Sequence, residues 1–159
     1  MSTLYVVRHA IAEDRDAERW PDDSQRPLTK EGETAFRSAA RGLERIVPAV
    51  DVVLSSPYVR AWRTAEILAA EAGWPAPEPC EALEAERPPE DAAAGIRARG
   101  DVAGLAVVGH EPQLSRLVSL VLTGDPDAIA FDFKKGGVVR IDDRTLRWAA
   151  TPKMLRALQ

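Results

Sequence analysis

Leu4-Tyr5-Val6-Val7-Arg8-His9-Ala10 decides how the rest of the chain is read. Leu4 to Val7 is a short, continuous apolar run rich in β-branched residues, the pattern of a buried strand. Arg8 and His9 then stand at its carboxyl end. The arrangement recurs twice. Asp51 to Ser55 reads as a second strand, running into the turn Ser55-Ser56-Pro57 with Arg60 one helical turn on. Leu105 to Val108 reads as a third, followed by Gly109-His110-Glu111-Pro112.

Between these strands the apolar spacing is helical. Thr29 is an N-cap candidate, with Glu31 and Glu33 in the first turn, and Phe36, Ala39, Ala40, Leu43, Ile46 and Val47 on one face. Pro48 is read as closing that helix. A second helix carries Ala61, Ala65, Leu68 and Ala72, with Pro57 suited to its first position and Gly73 at its end. Glu90 to Arg99 predicts a short helix ended by Gly100. Another helix carries Leu114, Leu117, Val118, Val121 and Leu122, and Gly124 stops it. Ala10 to Pro27 and the proline-rich Trp74 to Pro89 read as loops. Three further short strands are expected near Ala128 to Phe133, Gly137 to Asp142 and Leu146 to Thr151, with the last ones pairing antiparallel. Strands alternating with amphipathic helices predict an α/β fold with a mostly parallel central sheet. No repeat or linker divides the chain, so residues 1–159 are expected to form a single domain, a size that supports one sizeable core.

In open α/β sheets, ligands bind outside the carboxyl ends of the strands. That rule brings His9 and His110, the only two histidines in the chain, toward one edge together with Arg8 and Arg60. Each residue alone has an ordinary explanation: a strand-ending histidine, surface arginines, a histidine capping a helix. Jointly those explanations require a coincidence. A metal site is a weak alternative, because neither histidine has a carboxylate partner at ligand spacing.

These residues belong to segments that resemble the histidine phosphatase superfamily, which also holds the cofactor-dependent phosphoglycerate mutases. Leu4 to Ala10 resembles its opening motif, and Arg26-Pro27-Leu28-Thr29-Lys30-Glu31-Gly32 the next segment. Ser55-Ser56-Pro57-Tyr58-Val59-Arg60-Ala61-Trp62-Arg63-Thr64-Ala65 resembles its second signature, and Val107-Val108-Gly109-His110-Glu111-Pro112 its third. The short chain and the stretch Lys134-Lys135-Gly136-Gly137 are most similar to the SixA branch, the protein phosphohistidine phosphatases. The resemblance implies a three-layer α/β/α sandwich, phosphoglycerate mutase-like, and a phosphoenzyme mechanism. His9 would carry the phosphoryl group, and Arg8, Arg60 and His110 would surround it. A neutral imidazole is a competent nucleophile near pH 7, and arginine forks match phosphoryl oxygens. Neither a metal nor another cofactor is implied. Arg26 either faces the substrate or makes a loop salt bridge.

The chain departs from the mutase pattern at Ala10, where a glycine is common, and at Ile11-Ala12-Glu13-Asp14, where a mutase asparagine has no counterpart. A general acid for an alkoxide leaving group would come from Glu81, Glu84, Glu86, Glu90 or Asp91, all equally readable as a solvated acidic loop. A phosphohistidine substrate weakens the need for that acid, because imidazole leaves more readily than an alkoxide. Lys134 and Lys135 read as solubilising a turn, with attraction of an anionic partner as the alternative. Cys80 receives no catalytic role, and Trp20, Trp62, Trp74 and Trp148 read as packing or loop anchors.

Composition bounds the rest. The formal net charge of -4 argues against a non-specific nucleic-acid binder. One cysteine excludes an internal disulfide framework. No basic and apolar leader stands at the N-terminus and no run is long enough to span a bilayer, so a cytoplasmic protein is expected. The expected partner is a phosphohistidine-bearing protein or a small phosphorylated molecule, and the expected state is a monomer. Three other readings stay open: a small-molecule phosphomonoesterase with the same chemistry, a non-catalytic phosphate-binding module, and, last, a metal-dependent hydrolase.

Overall fold

The structure, a computed structural model, describes residues 2–47 and 49–159. Its centre is a six-stranded sheet: β1 (Thr3–Arg8), β2 (Val52–Ser55), β3 (Glu78–Pro79), β4 (Gly104–Gly109), β5 (Val138–Asp142) and β6 (Thr145–Ala150), in the order β3-β2-β4-β1-β5-β6. β1, β2, β3 and β4 run parallel; β5 pairs antiparallel with β1, and β6 antiparallel with β5. The parallel strands need crossovers, which the helices supply. These are α1 (Lys30–Glu44), α2 (Val59–Ala72), α3 (Pro89–Ala98), α4 (Gln113–Thr123) and α5 (Pro152–Arg156).

Helices cover both faces, as the three-layer expectation required. Side chains alternate along a strand, so β1 serves two cores. Tyr5 and Val7 pack with Phe36 and Leu43 of α1, Leu68 of α2 and Leu155 of α5. Val6 packs on the other face with Leu114 and Leu117 of α4 and Ala92 of α3. Both clusters are almost dry, which makes the sheet a rigid support for whatever stands at its strand ends. Among the described residues, no helix is long and apolar enough to cross a membrane.

Several local expectations hold. The Thr29 hydroxyl accepts from Gly32 N at 2.8 Å and caps α1. Gly73 and Gly124 end α2 and α4 at φ 71° and 84°. Tyr5 lies 5.8 Å from the Trp74 ring and 6.3 Å from the Trp148 ring, so both indoles are packing residues.

Others need correction. Ala128 to Phe133 is not a strand; β1 is flanked by β4 and β5, and the segment instead anchors on Ser119, whose hydroxyl donates to Asp125 O and accepts from Ile129 N. Pro57 is not the first residue of α2; Tyr58 is the N-cap and Val59 opens the helix. Pro89, read as loop, occupies the first turn of α3. Ile46 lies beyond α1 and is exposed, whereas Val47 is buried. The stretch from Trp74 to Pro89 contains the short edge strand β3, and α5 is a helix that the sequence pattern did not predict. Pro48 lies outside the described residues.

Candidate active site

The register of the sheet places Arg8 opposite Gly109 and Ser55 opposite Val108, so the three segments singled out above end side by side. Immediately past β1, His9 N donates to Gly109 O at 3.0 Å, while Gly136 N donates to His9 O at 3.0 Å. The His9 backbone is thus held from two sides. Ala10 N donates to the Thr64 hydroxyl at 3.0 Å, and that hydroxyl donates to Arg60 O at 2.8 Å, tying the turn after His9 to the first turns of α2.

The His9 ring is 7% exposed, and its Nδ1 lies 2.7 Å from Ala10 O. A carbonyl only accepts, so Nδ1 carries the proton and Nε2 keeps a free lone pair. Burial lowers the His9 pKa to about 3, and the cations Arg60, Arg8 and Lys135 push the same way against the Ala10 carbonyl. The ring is therefore neutral at pH 7.

His110, just past β4, is 2% exposed with its ring centroid 5.3 Å from that of His9. Its Nε2 lies 2.8 Å from the Ser56 hydroxyl, which also accepts from Tyr58 N at 3.2 Å. Its pKa is also lowered, by burial first and then by His9 and Arg60. The Ser56 hydroxyl donates to Nε2 when the one proton of the neutral ring sits on Nδ1, and accepts from Nε2 when it sits there instead.

Asp23 organises the arginines. Arg60, 2% exposed, donates from Nη1 to Asp23 O at 2.8 Å and from Nη2 to Asp23 Oδ2 at 2.9 Å. Arg26 donates from Nε to Asp23 Oδ1 at 2.8 Å and from Nη1 to Glu13 O at 2.7 Å. The Asp23 pKa is lowered: the penalty of burial is outweighed by these two guanidinium groups. Arg8 donates from Nη1 to Phe133 O at 2.7 Å. Arg8 Nε, Arg60 Nε and His110 Nδ1 are buried without a protein partner. Unpaired buried polar atoms are costly, and two guanidinium donors beside an unpartnered imidazole nitrogen, all in residues that line one cleft, match the needs of an anion.

That cleft has a volume of about 340 Å³ and brings together Arg8, His9, Arg26, Arg60 and His110, the whole set expected from the sequence. Arg26 makes its loop salt bridge and lines the cleft as well. Of the acidic candidates, only Glu86 lines it. Asp91 pairs with Arg87 at 2.8 Å, and Glu81, Glu84 and Glu90 stand outside the lining. A groove of about 400 Å³ at the opposite end of the sheet, around Leu4, Ile96 and Val102, contains neither histidine.

Sequence reasoning passed over Asp23, the bond from Ser56 to His110, and Glu111, and gave Lys135 only as a turn residue or an attractor of an anionic partner. Lys135 lines the cleft rather than only solubilising a turn, whereas Lys134 pairs with Asp132. Glu111 also lines the cleft, but its Oε1 caps α4 at Ser115 N. The position of Ser56 inside the second signature was the one signal that could have found it; nothing in the loop sequence marked Asp23. Among the described residues, no group of three or more His, Cys, Asp or Glu is placed to hold a metal ion.

Comparison with known proteins agrees with the fold. The family model of the histidine phosphatase superfamily (branch 1) matches residues 4–86. An uncharacterized protein of Picosynechococcus is 34% identical over 139 residues, covering 86% of this chain and 82% of its own. The solved structure of the protein histidine phosphatase SixA complexed with tungstate superposes with a TM-score of 0.82 and 26% identity, over 95% of this chain and 97% of that one. A phosphoserine phosphatase from Entamoeba histolytica, solved as a mutant with phosphoserine, shares the fold at a TM-score of 0.67 and 14% identity, over 98% of this chain and all (100%) of that one. The chain belongs to the histidine phosphatase superfamily.

Proposed function

We propose that this member of the histidine phosphatase superfamily removes phosphate from phosphohistidine on proteins, through a phosphoenzyme formed on His9 and without a metal ion. The observation that carries the reading is the His9 imidazole: neutral, held by Ala10 O through Nδ1, and free at Nε2 beside two arginines and a second histidine.

The chemistry has two steps. His9 Nε2 donates its lone pair to phosphorus as the bond from phosphorus to the substrate imidazole breaks. The departing imidazole keeps that electron pair and takes a proton from solvent. Water then attacks the phosphohistidine, the bond from phosphorus to Nε2 breaks, and inorganic phosphate leaves with His9 neutral again. Arg8, Arg26 and Arg60 offset the charge on the equatorial oxygens, and His110, in its Nδ1–H tautomer, adds a hydrogen bond. Arg60 and Arg26 are already positioned by Asp23, so little reorganisation accompanies the reaction.

Two points support a protein substrate. SixA, a protein histidine phosphatase, matches over 97% of its length and binds tungstate, a tetrahedral oxyanion like phosphate. Glu86, the acidic candidate at the cleft, stands exposed at its rim, a weaker setting for protonating an alkoxide than an enclosed one. A second reading, a phosphomonoesterase acting on small molecules, draws on that same Glu86 and on the fold shared with a phosphoserine phosphatase. In either reading residues 1–159 act as one domain, as a cytoplasmic monomer.

The test is phosphate release from a phosphohistidine-bearing protein in the presence of a chelator, with wild type beside His9→Ala. Release by wild type alone supports the reading. Release by both removes His9 as nucleophile. Release only from small phosphomonoesters transfers the assignment to the second reading.

A further inference from the structure

Beside the cleft lies a groove of about 680 Å³ that shares Arg8 and Lys135 with it. A chain lying in that groove is led directly to His9. Its lining holds five cationic side chains, Arg8, Lys134, Lys135, Lys153 and Arg156, against one carboxylate, Asp132. Lys134 neutralises that carboxylate at 2.6 Å. Lys135, Lys153 and Arg156 are exposed and form no ion pair among the described residues. This concentration of positive charge is local, because the whole chain carries a net charge of -4. The cleft itself is mixed in charge, with Glu13, Asp14, Glu86 and Glu111 lining it beside Arg8, Arg15, Arg26, Arg60 and Lys135. The excess of cations therefore belongs to the groove rather than to the cleft.

The cations stand on fixed supports. The turn of Lys134 and Lys135 is held by Gly137 N donating to Lys134 O at 2.8 Å and by Gly136 N donating to Arg8 O and His9 O at 3.0 Å. Lys153 and Arg156 flank Leu155, which is buried in the core shared with α1. Gly42 of α1 allows that close packing, since a Cβ there would stand 1.7 Å from Leu155 O. Ile11, 50% exposed, adds an apolar contact to the groove.

We propose that this groove docks an acidic segment of the protein whose phosphohistidine enters the cleft. The inference rests on the phosphohistidine reading above and adds to it the chemistry of the partner surface. The cations would steer an acidic partner into the groove. Among the described residues, no aromatic ring lines the groove to stack a base, which favours a polypeptide over a single-stranded nucleic acid.

The test uses two fluorescent peptides of equal length, each with one phosphohistidine, flanked by Glu in one and by Ser and Gly in the other. Binding is read by anisotropy on His9→Ala protein at low salt, so it does not depend on turnover. The Glu-flanked peptide should bind about tenfold tighter. Adding Lys153→Glu and Arg156→Glu should remove that preference and improve binding of a Lys-flanked peptide, a gain that a misfolded variant would not give. Equal affinities, or a preference that survives both substitutions, would overturn the proposal. So would an oligothymidylate that competes better than a Glu-rich peptide, which would assign the groove to nucleic acid. Turnover by the His9-intact protein separates the two readings: no phosphate release from either peptide sinks the phosphohistidine assignment, while the binding comparison still decides the groove.

Discussion

His9, Arg60 and His110 on the floor of the cleft are 7%, 2% and 2% exposed, whereas Glu86 and Lys135 on its rim stand in solvent. The floor grows from the carboxyl ends of β1 and β4 and the first turn of α2, all packed into the two cores. The rim is made of the loops around residues 10–28, 84–88 and 132–137. A side chain on the floor keeps its tautomer and direction because a neighbouring strand or helix fixes its backbone. Apart from Arg26, which is buried and held by Asp23 and Glu13 O, a charged side chain on the rim ends in solvent even where, as at Lys135, its backbone is held. On the function proposed above, the difference separates chemistry, assigned to the floor, from the choice of partner, assigned to the rim.

Removing the nucleophile should break the comparison most severely. His9→Ala is expected to lower the rate of phosphate release by about 10⁴-fold or more, and an alkaline denaturing quench, which preserves the N–P bond, should trap a covalent phosphoprotein with wild type and none with the variant. The same variant should show altered acid stability. Burial keeps the folded His9 pKa at about 3, below the ordinary 6.5. Below pH 6.5 the unfolded chain takes up a proton there that the folded one refuses until about pH 3, so wild-type stability is lost across that window as pH falls. Urea midpoints should therefore drop less for His9→Ala than for wild type between about pH 7 and about pH 4.

Next in size is Arg60→Ala, expected to lower kcat/KM by about 10²- to 10³-fold, with Arg60→Lys recovering only part because it cannot reproduce the fork to Asp23. Ser56→Ala should cost about tenfold in kcat with little change in KM, because it frees the His110 ring without touching the phosphate; Ser56→Thr should restore it. The smallest effect is expected on the rim. Glu86→Gln should change phosphohistidine hydrolysis by less than about threefold, while lowering any activity on alkyl phosphates more. A large loss on phosphohistidine would move Glu86 into the chemistry and erase the division between floor and rim.

The floor was legible because its signals are local. An apolar run ending in Arg8-His9, another ending in Ser55-Ser56-Pro57 and a third ending in Gly109-His110 each specify a strand together with the residues at its carboxyl end, and the parallel-sheet rule then brings the ends together. The supporting contacts were not legible. Asp23 reaches Arg60 across 37 residues and Ser56 reaches His110 across 54, and nothing in the composition of a polar loop marks which of its carboxylates turns inward. Ala128 to Phe133 failed for the opposite reason: its local pattern suited a strand, but β5 already occupied the edge of β1.

The sequence alone therefore determined the α/β architecture, the identity of the residues on the floor and their common edge, because hydrophobic periodicity and strand-end position are properties of short segments. Tertiary structure decided the state of those residues. It put the proton on His9 Nδ1 through Ala10 O, gave Arg60 and Arg26 a shared carboxylate, brought Lys135 to the cleft through the Gly136 bonds to Arg8 and His9, and seated α5 against Gly42. Each of these depends on distances between segments remote in sequence, or on the exclusion of water from between them.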